Sequence, residues 1–162
     1  MTLEELQEQL KIIQDIEDIK RLQYHYVNCL ILTKWDDIVE CFAENAEVDI
    51  GGEKKSDRIV KGKAAIGRFF REGVSISHVG REGIFAVHPI IHVDGDSAVG
   101  TWLAYFMHIH SRGQEPLLDW MQGFYECRYV KESGKWKISY LKWRARLKCS
   151  RQDIIWQLKP SL

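Results

Sequence analysis

The stretch that most constrains this chain runs from Gly83 to Leu147, where consecutive segments read as β-strands with apolar residues on both faces. Ile84 to Val93 ends at Asp94-Gly95-Asp96, a strong hairpin signal, and Ser97 to His110 continues as a second long strand. Leu117 to Lys131 forms a third, and Lys135 to Leu147 a fourth after Glu132-Ser133-Gly134. A sheet with one wet face alternates apolar and polar residues. Here both faces carry apolar groups, so one must cover a core or cavity and the other must meet helices or another subunit. That pattern predicts a curved antiparallel sheet around a pocket.

The helices precede the sheet. Thr2-x-x-Glu5 fits a capping box, and Leu3, Leu6, Leu10, Ile13, Ile16, Ile19, Leu22 and Tyr26 recur at helical spacing. The reading is one long amphipathic helix, with a break expected near Gln14-Asp15 and residues 1–14 as a helical extension. A short helix follows over Trp35–Phe42, with Asp36 as its N-cap. A strand is expected over Ala46–Ile50, a polar loop over Gly51–Arg58, a third helix over Lys63–Arg71 and a loop over Ser75–Glu82. Asp153 to Leu158 reads as a helical turn carrying Trp156. At 162 residues the chain reads as a single α+β domain, 1–162, with helices packed on a meander.

Composition narrows the partners. Twenty-three basic residues balance twenty-three acidic ones, so no global charge draws the chain to nucleic acid or membrane. The basic run Lys142, Arg144, Arg146, Lys148 and Arg151 reads as a solvated strand edge and tail. The four cysteines, Cys29, Cys41, Cys127 and Cys149, lack metal-ligand spacing and are expected to be buried thiols. The acidic N-terminus does not resemble a secretory signal, and no apolar run reaches the ~18 residues of a membrane span. A cytoplasmic location is the expectation.

In this order of elements the chain resembles the nuclear transport factor 2-like cone, and more narrowly the SnoaL-like group that includes bile-acid 7α-dehydratase. The likeness rests on Ile19-Lys20-x-Leu22 followed by Tyr26, on Cys29-Leu30, and on Trp35-Asp36 leading to Phe42. It continues through Val93-Asp94-Gly95-Asp96-x-Ala98-x-Gly100-x-Trp102, and through Phe124-Tyr125, Tyr129, Gly134 and Trp136. The resemblance implies a cone whose dehydratase-like members combine a tyrosine, an aspartate, a histidine and a further acid. A base removes a proton beside a carbonyl, an acid helps expel hydroxide, and a donor steadies the enolate. Carried over, the tyrosine is Tyr26, the aspartate position is Ile31, and the strand acid is Phe106. The histidine falls on His78 by the motif His-x-Gly, or on Ile84 by distance to Pro89.

Strand parity adds a further candidate. With Asp94-Gly95-Asp96 as a three-residue loop, Val93 pairs with Ser97, His88 lies opposite Trp102, and Ile84 opposite Phe106. His88 is then a buried titratable group, or equally a core histidine bonded to a backbone carbonyl. Either Asp119 and Met121 or Trp120 and Gln122 point inward, and the repeating family pattern favours Trp120. His92, His108 and His110 approach strand ends, without a carboxylate or cysteine partner suited to a metal site.

These residues imply an aromatic cavity formed by Tyr26, Ile31, Ile84, Trp102, Phe106 and Trp120, suited to a lipophilic planar or polycyclic molecule. Two functions fit. One is a lyase or isomerase acting next to a carbonyl, with His88 or His78 as base and Tyr26 as donor. The other is a non-catalytic binding or oligomerisation domain without the acid–base set. Neither metal nor cofactor is expected. The outer stripe Leu103, Tyr105, Met107 and Ile109, with Leu3, Leu6 and Leu10, points to a dimer or trimer.

Overall fold

The computed structural model describes residues 1–50, 59–77, 82–112 and 115–151; side chains at 108–112, 115–117, 150 and 151 are outside the description. A six-stranded sheet in the order β2-β1-β6-β5-β4-β3 is covered on one face by helices. Helix α1 spans Leu3–Ile31 without interruption, so the expected break near Gln14-Asp15 is absent. Its capping box is formed as the sequence suggests, with the Glu5 backbone N–H donating to the Thr2 hydroxyl at 3.1 Å. Leu3, Leu6, Leu10 and Ile13 remain exposed, whereas Ile19, Tyr26, Val27 and Leu30 are buried.

Helix α2 (Trp35–Glu40) begins at Lys34 without a side-chain cap, not at Asp36. Asp36 instead accepts from Arg71 at 2.8 Å and joins α2 to the segment after α3. Strand β1 (Phe42–Asp49) starts earlier than the sequence suggests, and the short β2 (Ile59–Lys61) pairs with it. Helix α3 (Lys63–Arg68) continues into a π-helical turn, Phe69–Val74, and a 3₁₀ turn, Ser75–Ser77. The expected loop 51–58, most of the loop 75–82 and the turn carrying Trp156 lie outside the described residues.

The meander comprises β3 (Gly83–Asp94), β4 (Ser97–Arg112), β5 (Glu115–Glu132) and β6 (Lys135–Arg151), all antiparallel. Strand β1 pairs with β6 in parallel. The sheet is therefore mixed rather than purely antiparallel, because α1 and α2 lead the chain back across the helix-covered face before β1 joins the edge.

Aromatic and aliphatic side chains of that covered face form the core, including the fully buried Trp102, Tyr125, Tyr129, Ile138 and Leu141. A polar clamp fixes α1 against them. The Asp15 carboxylate accepts from the Trp136 indole at 2.9 Å and Lys131 at 2.7 Å, and the Lys131 ammonium lies 4.8 Å from the Trp136 ring centroid. Such a charge-assisted pair also fixes the depth at which the helix crosses the sheet.

A candidate ligand cavity

At one end of the covered face lies a cavity of about 360 Å³ between α1, the π-helical turn and the sheet. Tyr26 and Leu30 enter from α1, Phe69, Phe70 and Val74 from the turn, and Phe106, Met121, Tyr125 and Trp143 from β4, β5 and β6. Cross-strand register assembles the sheet wall: Phe106 pairs with Met121, and Tyr125 with Trp143. The Phe106 ring centroid lies 4.6 Å from that of Trp143 and 6.0 Å from that of Tyr125. Tyr26 meets Tyr125 edge-on at 6.1 Å. These T-shaped and tilted contacts are the arrangements aromatic quadrupoles prefer.

Gly123 permits this wall. A Cβ there would stand 2.0 Å from the Arg144 carbonyl oxygen and 2.8 Å from the Trp143 ring. Only a residue without a side chain allows β6 to approach at the register shift and Trp143 to lie over β5. In the sequence this is a glycine inside a strand, the signature of a bulge or of a close backbone approach.

The polar groups at the cavity floor are neutral. Burial, the adjoining Tyr125 phenol and the Cys127 and Cys41 thiols hold Tyr26 well above the ordinary phenol value. Burial likewise raises Tyr125, against the hydrogen bond it receives from Tyr26. Burial pushes the Cys127 thiol up to about 12. Deeper in the core, the Trp102 indole donates to the Tyr129 hydroxyl at 2.9 Å, which donates to Gln23 Oε1 at 2.9 Å. Gln23, Tyr26 and Leu30 occupy one face of α1 at positions i, i+3 and i+7. Among the described residues, Gln23 Nε2 is a buried side-chain nitrogen without a hydrogen-bond partner.

Several expected site residues fall elsewhere. Trp102 is fully buried but packs in the core, edge-on to Tyr24 at 5.6 Å. Ile84 is buried opposite Phe106, the pairing the sequence suggests, whereas Ile31 packs half-buried at the core margin while Leu30 lines the cavity. Trp120 does not face inward: it is 54 % exposed and pairs with the outward Met107. Met121 takes the inward place, because apolar residues at both alternating positions leave the phase of this strand open to either assignment.

His88 does not face the cavity either. It is exposed, with φ 50°, at a bulge where Val87 pairs with Leu103 but Ile90 pairs with Thr101. His88 and Pro89 together oppose Trp102, and the extra residue turns the following side chains to the other face. The hairpin also closes one residue tighter than expected, with Asp94 paired to Ser97. The two shifts cancel below the bulge, which is why Ile84 still meets Phe106. His78 lies outside the described residues.

Among the described residues no group of three or more His, Cys, Asp or Glu side chains is placed to hold a metal ion. No described helix is long and apolar enough to cross a membrane. Three cysteines are buried thiols, while Cys149 is exposed.

A helix-covered, curved and unclosed mixed sheet with a cavity at one end defines a nuclear transport factor 2-like α+β cone. Within that class the chain belongs to the SnoaL-like domain family, whose model matches residues 11–142. Solved structures share the fold at low identity. A scytalone dehydratase-like protein from Novosphingobium aromaticivorans is 18% identical, with a TM-score of 0.72 over 85% of this chain and 87% of that one. A hexachlorocyclohexane dehydrochlorinase, LinA type 3 from Novosphingobium barchaimii, is 15% identical, with a TM-score of 0.76 over 90% and 95%. An NTF2-like protein with a cystatin-like fold from N. aromaticivorans is 15% identical, with a TM-score of 0.69 over 90% of each chain. No curated protein matches the chain.

Proposed function

We propose that the cone binds a neutral, lipophilic, planar or polycyclic small molecule. The observation that carries this reading is the cavity lining: aromatic and aliphatic groups on every side, with phenols as the polar groups at its floor. A volume of about 360 Å³ suits a molecule of two to four fused rings, and apolar walls with few polar contacts are the usual composition of such sites. Tyr26 and Tyr125 stay protonated at physiological pH, and with Tyr26 donating to Tyr125 it is the Tyr125 hydroxyl that offers a hydrogen bond to a carbonyl or hydroxyl oxygen, without selecting a charged ligand. Organic extraction and mass spectrometry of the protein as purified from its host test this. A neutral polycyclic compound in near-stoichiometric amount is expected; a phosphorylated or multiply charged compound in that amount would refute the reading.

A lyase or isomerase acting beside a carbonyl is the second reading, favoured by Tyr26. Its phenol stands at the cavity and donates to Tyr125, which leaves the Tyr125 hydroxyl proton to meet a developing enolate. The described lining contains no carboxylate or imidazole to act as base. Asp119 is two residues from Met121 on β5 but is buried in an ion pair with Lys148 at 2.8 Å. On this reading His78 supplies the base, and turnover of a carbonyl substrate that survives His78→Ala would remove this mechanism.

A further inference from the structure

The first half of α1 stands clear of the sheet. Every residue from Met1 to Gln14 is exposed, and Asp15 is the first buried one. Leu3 is 71 %, Leu6 44 %, Leu10 66 % and Ile13 58 % exposed. Spacing along the chain joins these residues to the stripe that ends at Tyr26, but helix geometry separates the two groups. Side chains advance about 100° per residue, so each step of three residues falls about 60° short of a full turn. Such steps follow one another from Leu10 through Ile13, Ile16 and Ile19 to Leu22. Leu3, Leu6, Leu10 and Ile13 consequently lie roughly 150° around the axis from the buried Ile19, Gln23, Tyr26 and Leu30. One straight helix cannot lay both groups on its own sheet. Leu3, Leu6 and Leu10 also precede residue 11, where the family match begins, so the shared cone does not account for them.

The flanks of the stripe select what covers it. Thr2 and Gln9 border it on one side, Gln7 and Gln14 on the other, and all are uncharged. Glu4, Glu5, Glu8 and Lys11 stand on the far side of the helix. A helix that lies on an anionic lipid surface is rich in lysine and arginine, and three acids to one lysine oppose that. A second copy fits better. Leu3, Leu6, Leu10 and Ile13 have the same spacing read in either direction. An identical helix running antiparallel, with the two-fold axis at Glu8, therefore sets Leu3 against Ile13 and Leu6 against Leu10. Beside the axis Gln7 and Gln9 each meet their own symmetry mate, and an amide both donates and accepts where a charge would repel its copy. Antiparallel alignment also keeps the two acidic first turns apart and opposes the helix dipoles. Because each stripe faces away from its own sheet, the two cones end on the outer flanks of the pair.

The geometry points to a second copy of this chain as the occupant: two α1 helices pair antiparallel through Leu3, Leu6, Leu10 and Ile13. Disulfide cross-linking tests the surface and the direction together, on the full chain with the exposed Cys149 replaced by serine. Leu6→Cys and Leu10→Cys proteins are oxidised with copper–phenanthroline, each alone and after co-incubation. The product is read on a non-reducing gel at twice 19.0 kDa. The mixture should cross-link about tenfold faster than either protein alone, because position 6 faces position 10 and not its own copy. No cross-linking in the mixture would overturn the proposal, and so would equal or faster cross-linking of Leu6→Cys alone, the mark of a parallel pair. In light scattering at micromolar concentration, Leu6→Lys combined with Leu10→Lys should lower the mass about twofold. Both side chains already stand in water, so the cone stays folded; an unchanged mass would overturn the proposal. Flotation of the wild type with phosphatidylcholine–phosphatidylserine vesicles, lost in the lysine variant, would assign the stripe to a membrane and overturn it too.

Discussion

At the scale of single residues, Asp15 and Tyr129 do the most to place α1. Burial opposes the Asp15 charge, but hydrogen bonds from Lys131 and Trp136 and the lysine charge outweigh it, holding the carboxyl below its ordinary value. A carboxyl whose folded value is lower than its unfolded one binds fewer protons in the native state, so it contributes stability above the unfolded value of about 3.9. That contribution is lost as pH falls through the folded value. Urea unfolding of Asp15→Asn should therefore show lower stability than wild type at neutral pH, with the gap closing in acid; a constant gap would contradict the linkage. Tyr129→Phe should cost about 2–3 kcal/mol in the same assay, because it leaves the Trp102 indole without its buried acceptor and Gln23 Oε1 with the weak Cys127 thiol, at 3.8 Å, as its donor. A change below about 0.5 kcal/mol would show that the network adds no net stability.

At the scale of elements, the close approach of β5 and β6 organises the cavity wall. Gly123→Ala places a methyl group against the Arg144 carbonyl, and β6 must move to accommodate it. The expected cost is about 3 kcal/mol, at the upper end for overpacking, with a loss of near-ultraviolet circular dichroism from Trp143. An unchanged melting temperature would mean that the strands adjust freely.

Much of this level was legible in the sequence. The helical period of α1, its capping box and the four long strands follow from spacing alone, and Tyr26 and Phe106 come together at the cavity. The phase of each strand was less legible. His88 adopts a left-handed backbone at a bulge whose mark in the sequence is Pro89, since proline inside a strand signals an edge or a bulge, and that bulge reverses the parity on which the His88 assignment depends. Trp120 and Met121 are both apolar, so alternation could not say which faced inward. Leu30, Tyr125 and Trp143 enter the site through helix phase and register, which fix side-chain direction only once the sheet is paired.

For the whole molecule, the chain combines a SnoaL-like cone with an apolar, aromatic-lined cavity at one end of its helix-covered face. Phe106 fills part of the wall by stacking near Trp143, so the position contributes surface area rather than proton transfer. Calorimetric titration with fluorenone tests most directly whether this cavity holds a neutral planar molecule. Fluorenone is a rigid tricyclic ketone with one acceptor oxygen. Wild-type protein should bind it with a negative heat-capacity change from apolar burial. The affinity should stay constant between about pH 6 and 9, because Tyr26 and Tyr125 do not ionise there. Met121→Trp, which fills the space opposite Phe106, should weaken binding by about tenfold or more. Absence of binding to the wild type, or equal affinity in the filled variant, would contradict the claim.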